Sequence, residues 1–230
     1  MRLSIVIPCY NELRNLPILV DNCLAFAEQS DVEIIFVDNG STDGSAALFV
    51  DLLRGTRGMQ VVTVEKNQGY GYGILMGLRQ AKGDLLCWTH ADLQTNPLDA
   101  LEGLRLFDLH SANIFVKGKR FGRAPKDVIF TVAMSFFETI LFRRFFWDVN
   151  AQPTMFTRAF FESWKNPPHD FSLDLYAYYL ATQQQLPIHR FPVLFSHRRH
   201  GHSHWNINWT EKQKFIKRTI SYSLKLKKSL

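Results

Sequence analysis

The sequence predicts an α/β fold: a mostly parallel sheet flanked by helices, forming a single domain with a basic helix at the C-terminal end. Three observations carry that expectation. Short apolar runs bounded by turn residues recur at Leu3–Pro8, Val32–Val37, Gln60–Glu65 and Asp84–Thr89. Between them lie stretches with apolar residues at helical spacing, and strand–helix alternation of this kind implies right-handed crossovers and parallel strands. Three of the runs end in polar clusters: Tyr10, Asn11 and Glu12; Asp38 to Asp43; and His90 to Gln94. In a parallel sheet, ligands gather beyond the carboxyl ends of the strands, where these clusters fall.

The elements follow in order. Leu16, Leu19, Val20, Cys23, Leu24 and Ala27 mark a first helix, with Asn15 placed to cap it and Pro17 in its first turn. Asp43 opens a second helix, with Ala46, Ala47, Phe49, Val50 and Leu53 available for its buried face. Residues Gly73 to Ala81 make a third, ended by Gly83. Before it, Asn67, Gly69, Gly71 and Gly73 read as a loop whose glycines let backbone approach a ligand closely. Their order is not G-x-G-x-x-G, so a dinucleotide site is excluded. Beyond Pro97 the expectation is a helix at Leu98–Phe107, a strand at Asn113–Lys117, and helices at Val128–Phe142 and Phe171–Gln183. An edge strand follows at Ile188–Phe195, where Pro192 suits an edge, and the terminal helix runs from about Thr210 to Lys225.

The chain has 230 residues, 46% of them hydrophobic, enough for one well-filled core. No run reaches the roughly 18 to 20 uninterrupted apolar residues that span a bilayer. The nearest, Val128–Phe142, contains Glu138 and is flanked by Asp127 and by Arg143 and Arg144. Met1 and Arg2 lead straight into a strand, which leaves no room for a signal peptide. Cys9, Cys23 and Cys87 are odd in number and lack CxxC spacing, as expected of reduced cysteines in a cytoplasmic protein.

The net charge is +6, with a pI near 9.3. From Arg198 onward the chain carries Arg199, Lys212, Lys214, Lys217, Arg218, Lys225, Lys227 and Lys228 against Glu211 alone. Such a tail suits an anionic membrane surface, and without aromatic stacking motifs in the basic run it argues against nucleic acid. Phe130, Phe136, Phe137, Phe142, Phe145, Phe146 and Trp147 concentrate beside Arg143 and Arg144. That mixture fits an interfacial surface, or a core helix plus an interface in an oligomer.

The segments IVIPCYNE, FVDNGSTDGS, NQGYGYGILMGLRQAKGD and HADLQ together resemble family 2 glycosyltransferases of the GT-A fold. Within that family the likeness is to the dolichyl-phosphate mannosyltransferase branch of polyprenyl-phosphate sugar synthases. It is strong over residues 3–97 and continues through Gly118-Lys119-Arg120-Phe121 and Arg198–Ser203. The resemblance implies a GT-A domain over 1–205, with a nucleotide-sugar half at 1–97 and an acceptor half at 98–205, followed by a basic amphipathic helix at 206–230. It implies inverting transfer from a UDP- or GDP-linked sugar to a polyprenyl phosphate, by a protein bound peripherally at the cytoplasmic face of the membrane. Two alternatives remain: transfer to a sugar hydroxyl of a surface glycan, and a catalytically weak nucleotide-sugar binder.

Residue by residue, the resemblance assigns Asp38 to the nucleoside, with Pro8, Tyr10 and Glu12 lining the base end and Asn67, Gly69, Ala91 and Asp92 completing the nucleotide-sugar site. A divalent cation, Mn²⁺ or Mg²⁺, is expected where the family carries an acid-x-acid pair. Here that segment is His90-Ala91-Asp92, so the ligand set is Asp92 with His90 and Gln94, a mixture better suited to Mn²⁺. Asn39 likewise stands where a second acid is common. Arg120 and Arg198 are expected to clamp phosphate, Arg198 within an R-x-x-G-x-S segment that adds Ser203. Asp174 resembles the acid that opens a helix facing the acceptor, with Asp170 as its alternate, and catalysis is expected to rest on Asp92, Asp174 and Arg198.

Overall fold

The computed structural model describes residues 2–27, 31–110, 113–200 and 209–228. Its strands are β1 (Leu3–Cys9), β2 (Val32–Asn39), β3 (Met59–Val64), β4 (Leu85–Trp88), β5 (Phe115–Phe121), β6 (Thr154–Thr157) and β7 (Ile188–Leu194). Its helices are α1 (Leu16–Ala27), α2 (Ser45–Leu52), α3 (Tyr70–Gln80), α4 (Asp99–Leu109), α5 (Pro125–Phe142), α6 (Arg158–Glu162), α7 (Leu173–Gln183) and α8 (Trp209–Lys228). The strands form one sheet in the order β3-β2-β1-β4-β6-β5-β7. All neighbours are parallel except β6, which runs antiparallel to both β4 and β5. β7 lies at an edge, as Pro192 required.

β2 is buried along its whole length, as a strand covered by helices on both faces must be. One core layer joins Leu16 and Cys23 of α1, Phe49 of α2 and Phe107 of α4 to the sheet. The other joins Ile74 and Leu78 of α3 and Tyr178 of α7 to Trp88 and Phe115. The cysteines are free and buried.

Three expectations are corrected. Asn15 precedes α1, but its side-chain amide donates to Glu12 Oε2 at 2.5 Å instead of capping the helix. α3 begins at Tyr70, so Gly71 and Gly73 are helical and not part of a ligand loop. A Cβ on Gly71 would lie 2.7 Å from the carbonyls of Pro168 and Asp170, and one on Gly73 would lie 3.0 Å from Asn39. These glycines serve close packing within the protein. The strand expected at Asn113–Lys117 is displaced to Phe115–Phe121, because Lys117 is buried in the sheet in spite of its charge and Gly118 packs closely against the Gln152 carbonyl. β6 was not anticipated, being only four residues long.

α5 and α8 pack together. On α5 the burial pattern is inverted: Ser135 and Glu138 are buried, while Ile129, Phe136 and Ile140 are 68%, 67% and 61% exposed. α8 buries Ser223 and Leu226 and leaves Lys217, Lys225, Lys227 and Lys228 exposed. No helix among the described residues is long and apolar enough to cross a membrane.

Candidate active site

The parallel register brings the carboxyl ends of β1, β2 and β4 to one edge of the sheet, with Cys9 beside Asp38 and Val6 beside Trp88. The turns beyond β1 and β2 are laced together. The Asn11 N–H donates to Ser41 Oγ at 3.0 Å, the Thr42 N–H donates to Asn11 Oδ1 at 2.8 Å, and the Leu13 N–H donates to Asp43 Oδ2 at 3.1 Å. Asp38 is buried beneath this turn and accepts from the Ser41 N–H at 3.1 Å. Pro8 is half-buried and Tyr10 exposed at the rim. Glu12 accepts from Asn15, yet its carboxyl is held above the usual range. Burial is the main cause, and the charge of Asp92 adds to it.

Asn39 reaches across to α3, its Nδ2 donating to the Gly69 carbonyl at 2.9 Å, while Asn67 Oδ1 accepts from the Gly69 N–H at 2.8 Å. Gly69 has φ +111°, and a Cβ there would lie 2.4 Å from the His169 carbonyl. Its close backbone approach is therefore to residues 169–170.

Beyond β4, Ala91 and Asp92 are buried. Asp92 Oδ1 accepts from the Gln94 N–H at 3.1 Å, and its Oδ2 lies 2.7 Å from Arg198 Nη2. Arg198 Nε also donates to Gln94 Oε1 at 3.2 Å, and Gln94 Nε2 donates to the Ser196 carbonyl at 3.2 Å. Two segments far apart in sequence thus converge on one carboxylate. His90 stacks on Tyr70, with centroids 5.6 Å apart, and Tyr70 stacks on Phe171 at 4.5 Å. Burial holds the His90 imidazole below its ordinary pKa, against the pull of Asp92 and Asp174, so the ring is neutral.

Arg120 does not meet this cluster. It grips Asp148 through Nε, at 3.1 Å to both carboxylate oxygens, and through Nη2. Arg123 lies 3.7 Å from the same carboxylate. Burial pushes the Asp148 carboxyl up, but the arginines outweigh it and leave the group below its usual range.

Asp174 is buried at the start of α7. Its Oδ1 accepts from Gln152 Nε2 at 2.7 Å and lies 3.8 Å from Nζ of the fully buried Lys117. Lys117 also donates to Thr154 Oγ1 at 2.6 Å, and burial pulls its pKa down to about 7. Asp170 instead accepts from the Ser172 N–H at 2.8 Å and lies 3.7 Å from Arg218. Ser203 and the neighbouring Gly201 lie outside the described residues.

The structure thus joins Asp92, Gln94 and Arg198 in one cluster and Asn39, Asn67 and Gly69 in another, places Asp38 under the turn at Ser41, stacks His90 on Tyr70, and pairs Arg120 with Asp148. Sequence reasoning missed Tyr70, Lys117, Asp148 and Gln152. Lys117 and Asp148 are single charges that no sequence pattern marks as buried, and the ring stacking of Tyr70 is set by tertiary packing.

Comparison with known proteins bears on the family and the fold. The family profile described as glycosyl transferase family 2 matches residues 4–174. An undecaprenyl-phosphate 4-deoxy-4-formamido-L-arabinose transferase of Photorhabdus laumondii is 36% identical over 100 residues, 42% of this chain and 30% of that protein. A dolichyl-phosphate beta-glucosyltransferase of Drosophila melanogaster is 36% identical over 101 residues, 40% of this chain and 31% of that one. The chain thus spans less than a third of the length of these relatives. Among solved structures, glucosyl-3-phosphoglycerate synthase from Mycobacterium tuberculosis, in complex with Mn²⁺, UDP and glucosyl-3-phosphoglycerate, superposes with a TM-score of 0.72 at 16% identity. The match covers 98% of this chain and 79% of that one. With its seven-stranded, mostly parallel sheet of the GT-A type and a family match over most of its length, the chain belongs to glycosyltransferase family 2.

Proposed function

We propose that this protein transfers a sugar, with inversion, from a nucleoside-diphosphate sugar to a polyprenyl phosphate at a membrane surface. The observation that carries the reading is the meeting of Asp92, Gln94 and Arg198 at the strand edge that also holds Asp38. Asp38 and the turn around it offer acceptors and donors for the nucleoside, with Tyr10 at the base end. Arg198 is placed to follow the negative charge that builds on the departing diphosphate, since a guanidinium binds phosphate oxygens in a bidentate manner.

The residues present fit a divalent ion. Asp92 would supply a carboxylate, His90 an imidazole and Gln94 a carbonyl oxygen, a mixed set suited to Mn²⁺, with Arg198 giving up Asp92 Oδ2 and Gln94 Oε1 to the ion. Among the described residues no three His, Cys, Asp or Glu side chains gather, so phosphate oxygens and water would complete the shell. Such an ion would neutralise leaving-group charge.

The acceptor follows from Asp174. A sugar hydroxyl needs a base, whereas a phosphate is already ionised near neutral pH. Asp174 is buried and held by Gln152 and Lys117, which favours the phosphate. The names of the two sequence relatives, which specify undecaprenyl and dolichyl phosphate, point the same way. The apolar outer face of α5 beside the lysines of α8 supplies a surface for lipid.

The test is transfer from a panel of UDP- and GDP-sugars to a short polyprenyl phosphate, with Mn²⁺, Mg²⁺ or chelator. A metal-dependent lipid-linked sugar supports the reading. Donor binding without lipid product rejects the acceptor, and activity undiminished by chelator rejects the ion.

A further inference from the structure

Next to the candidate site, α5, α7, α8 and the turn before β6 enclose a cavity of about 50 Å³. Phe171 forms part of its wall, and through Tyr70 that residue is stacked in series with His90. Into the cavity face Glu138 of α5, Arg120 of β5, Asp148 of the turn, Ser172 before α7 and Thr219 of α8. Arg120 and Asp148 are the charged neighbours, and they pair with each other.

Glu138 is 3% exposed, and its Oε2 is buried without a hydrogen-bond partner. A carboxyl in that state is unfavourable unless something in the cavity completes it. Burial raises its pKa to about 8, so at neutral pH the group is a carboxylic acid that can donate.

We propose that this cavity receives an oxygen of the acceptor phosphate, and that Glu138 donates its carboxyl O–H to that oxygen beside the Arg120 guanidinium. The inference rests on the polyprenyl-phosphate reading above. Arg120 supplies the charge, balanced in the resting protein by Asp148, and Glu138 supplies a donor that adds no charge of its own. Once Glu138 ionises, the donor is lost and a carboxylate faces a phosphate, so acceptor binding weakens as pH rises through its pKa.

The experiment measures KM for a short polyprenyl phosphate and for the nucleotide sugar from about pH 7 to about pH 9.5, a range above the second ionisation of a phosphate monoester. In the wild type the acceptor KM rises by about fivefold to tenfold per pH unit above about pH 8, while the donor KM keeps its own profile. Glu138→Gln, which retains a donor and cannot ionise, removes that rise. Glu138→Leu raises the acceptor KM about tenfold across the range without moving the donor KM. A flat wild-type profile, or the same rise in Glu138→Gln, overturns the role of Glu138 and leaves the acceptor assignment standing. Donor binding without lipid-linked product at any pH overturns both.

Discussion

Arg198 Nη2 sits 2.7 Å from Asp92 Oδ2, and the same guanidinium donates through Nε to Gln94. The pair joins the segment after β7 to the segment after β4. A guanidinium suited to phosphate oxygens and a carboxylate suited to a divalent cation are therefore held at one place.

Asp92→Asn is expected to lower kcat by at least about 100-fold, because the carboxylate both orients Arg198 and offers the one acidic ligand beyond β4. His90→Asp is expected to retain transfer and to shift preference from Mn²⁺ towards Mg²⁺. Initial rates with each ion decide both. A melting temperature within a few degrees of wild type rules out misfolding.

Lys117 and Asp174 form a buried pair, and removing one member leaves the other uncompensated. Lys117→Met is expected to cost about 3 kcal/mol at neutral pH, and adding Asp174→Asn is expected to restore part of that loss. Denaturant unfolding of both single variants and the double variant measures the coupling.

The depressed pKa of Lys117 also gives its stability contribution a definite pH dependence. Between about pH 7 and about pH 10.4, the unfolded chain holds a proton on this lysine that the folded chain has released. The unfolded state binds more protons there, so the contribution of Lys117 to stability rises with pH across that window and is flat below it. Chemical unfolding over the window, compared with Lys117→Met, isolates this slope.

Phe136→Glu on the outward face of α5 is expected to weaken binding to anionic vesicles by about tenfold or more with little change in melting temperature, because the side chain is exposed. Replacing Lys225, Lys227 and Lys228 together by Gln should weaken it further and in a salt-dependent manner, at about 1 kcal/mol per charge. Vesicle sedimentation at two ionic strengths checks both.

Gly71→Ala places a Cβ 2.7 Å from two backbone carbonyls. It is expected to lower the melting temperature by on the order of 5 °C. A scanning calorimetry trace settles it.

Residues 3–97 were legible because their strands are plain apolar runs and their polar residues cluster at the strand ends. Asp38, Asp92 and His90 could thus be placed on one edge from pattern alone. Arg198 reached the same place through its likeness to a phosphate-binding segment. The residues beyond 97 were less legible because a few charged groups enter an otherwise aromatic core. Lys117 and Gly118 lie in a buried strand, Glu138 faces inward from an apolar helix, and Asp174 turns to Gln152 instead of the open edge. Each breaks the rule that charge lies outside, and only tertiary packing decides such cases.

β6 lies between β4 and β5 in the sheet, although it follows both in the chain. During synthesis, β4 has no neighbour on its outer side until Thr154–Thr157 emerges, so Leu85–Trp88 presents an open ladder of N–H and C=O groups through the translation of some sixty residues. Residues 1–97 therefore cannot be cut out as a self-sufficient unit. A shortened version would carry a bare apolar edge and associate with itself, and fragments of this protein meant for expression should extend past β6.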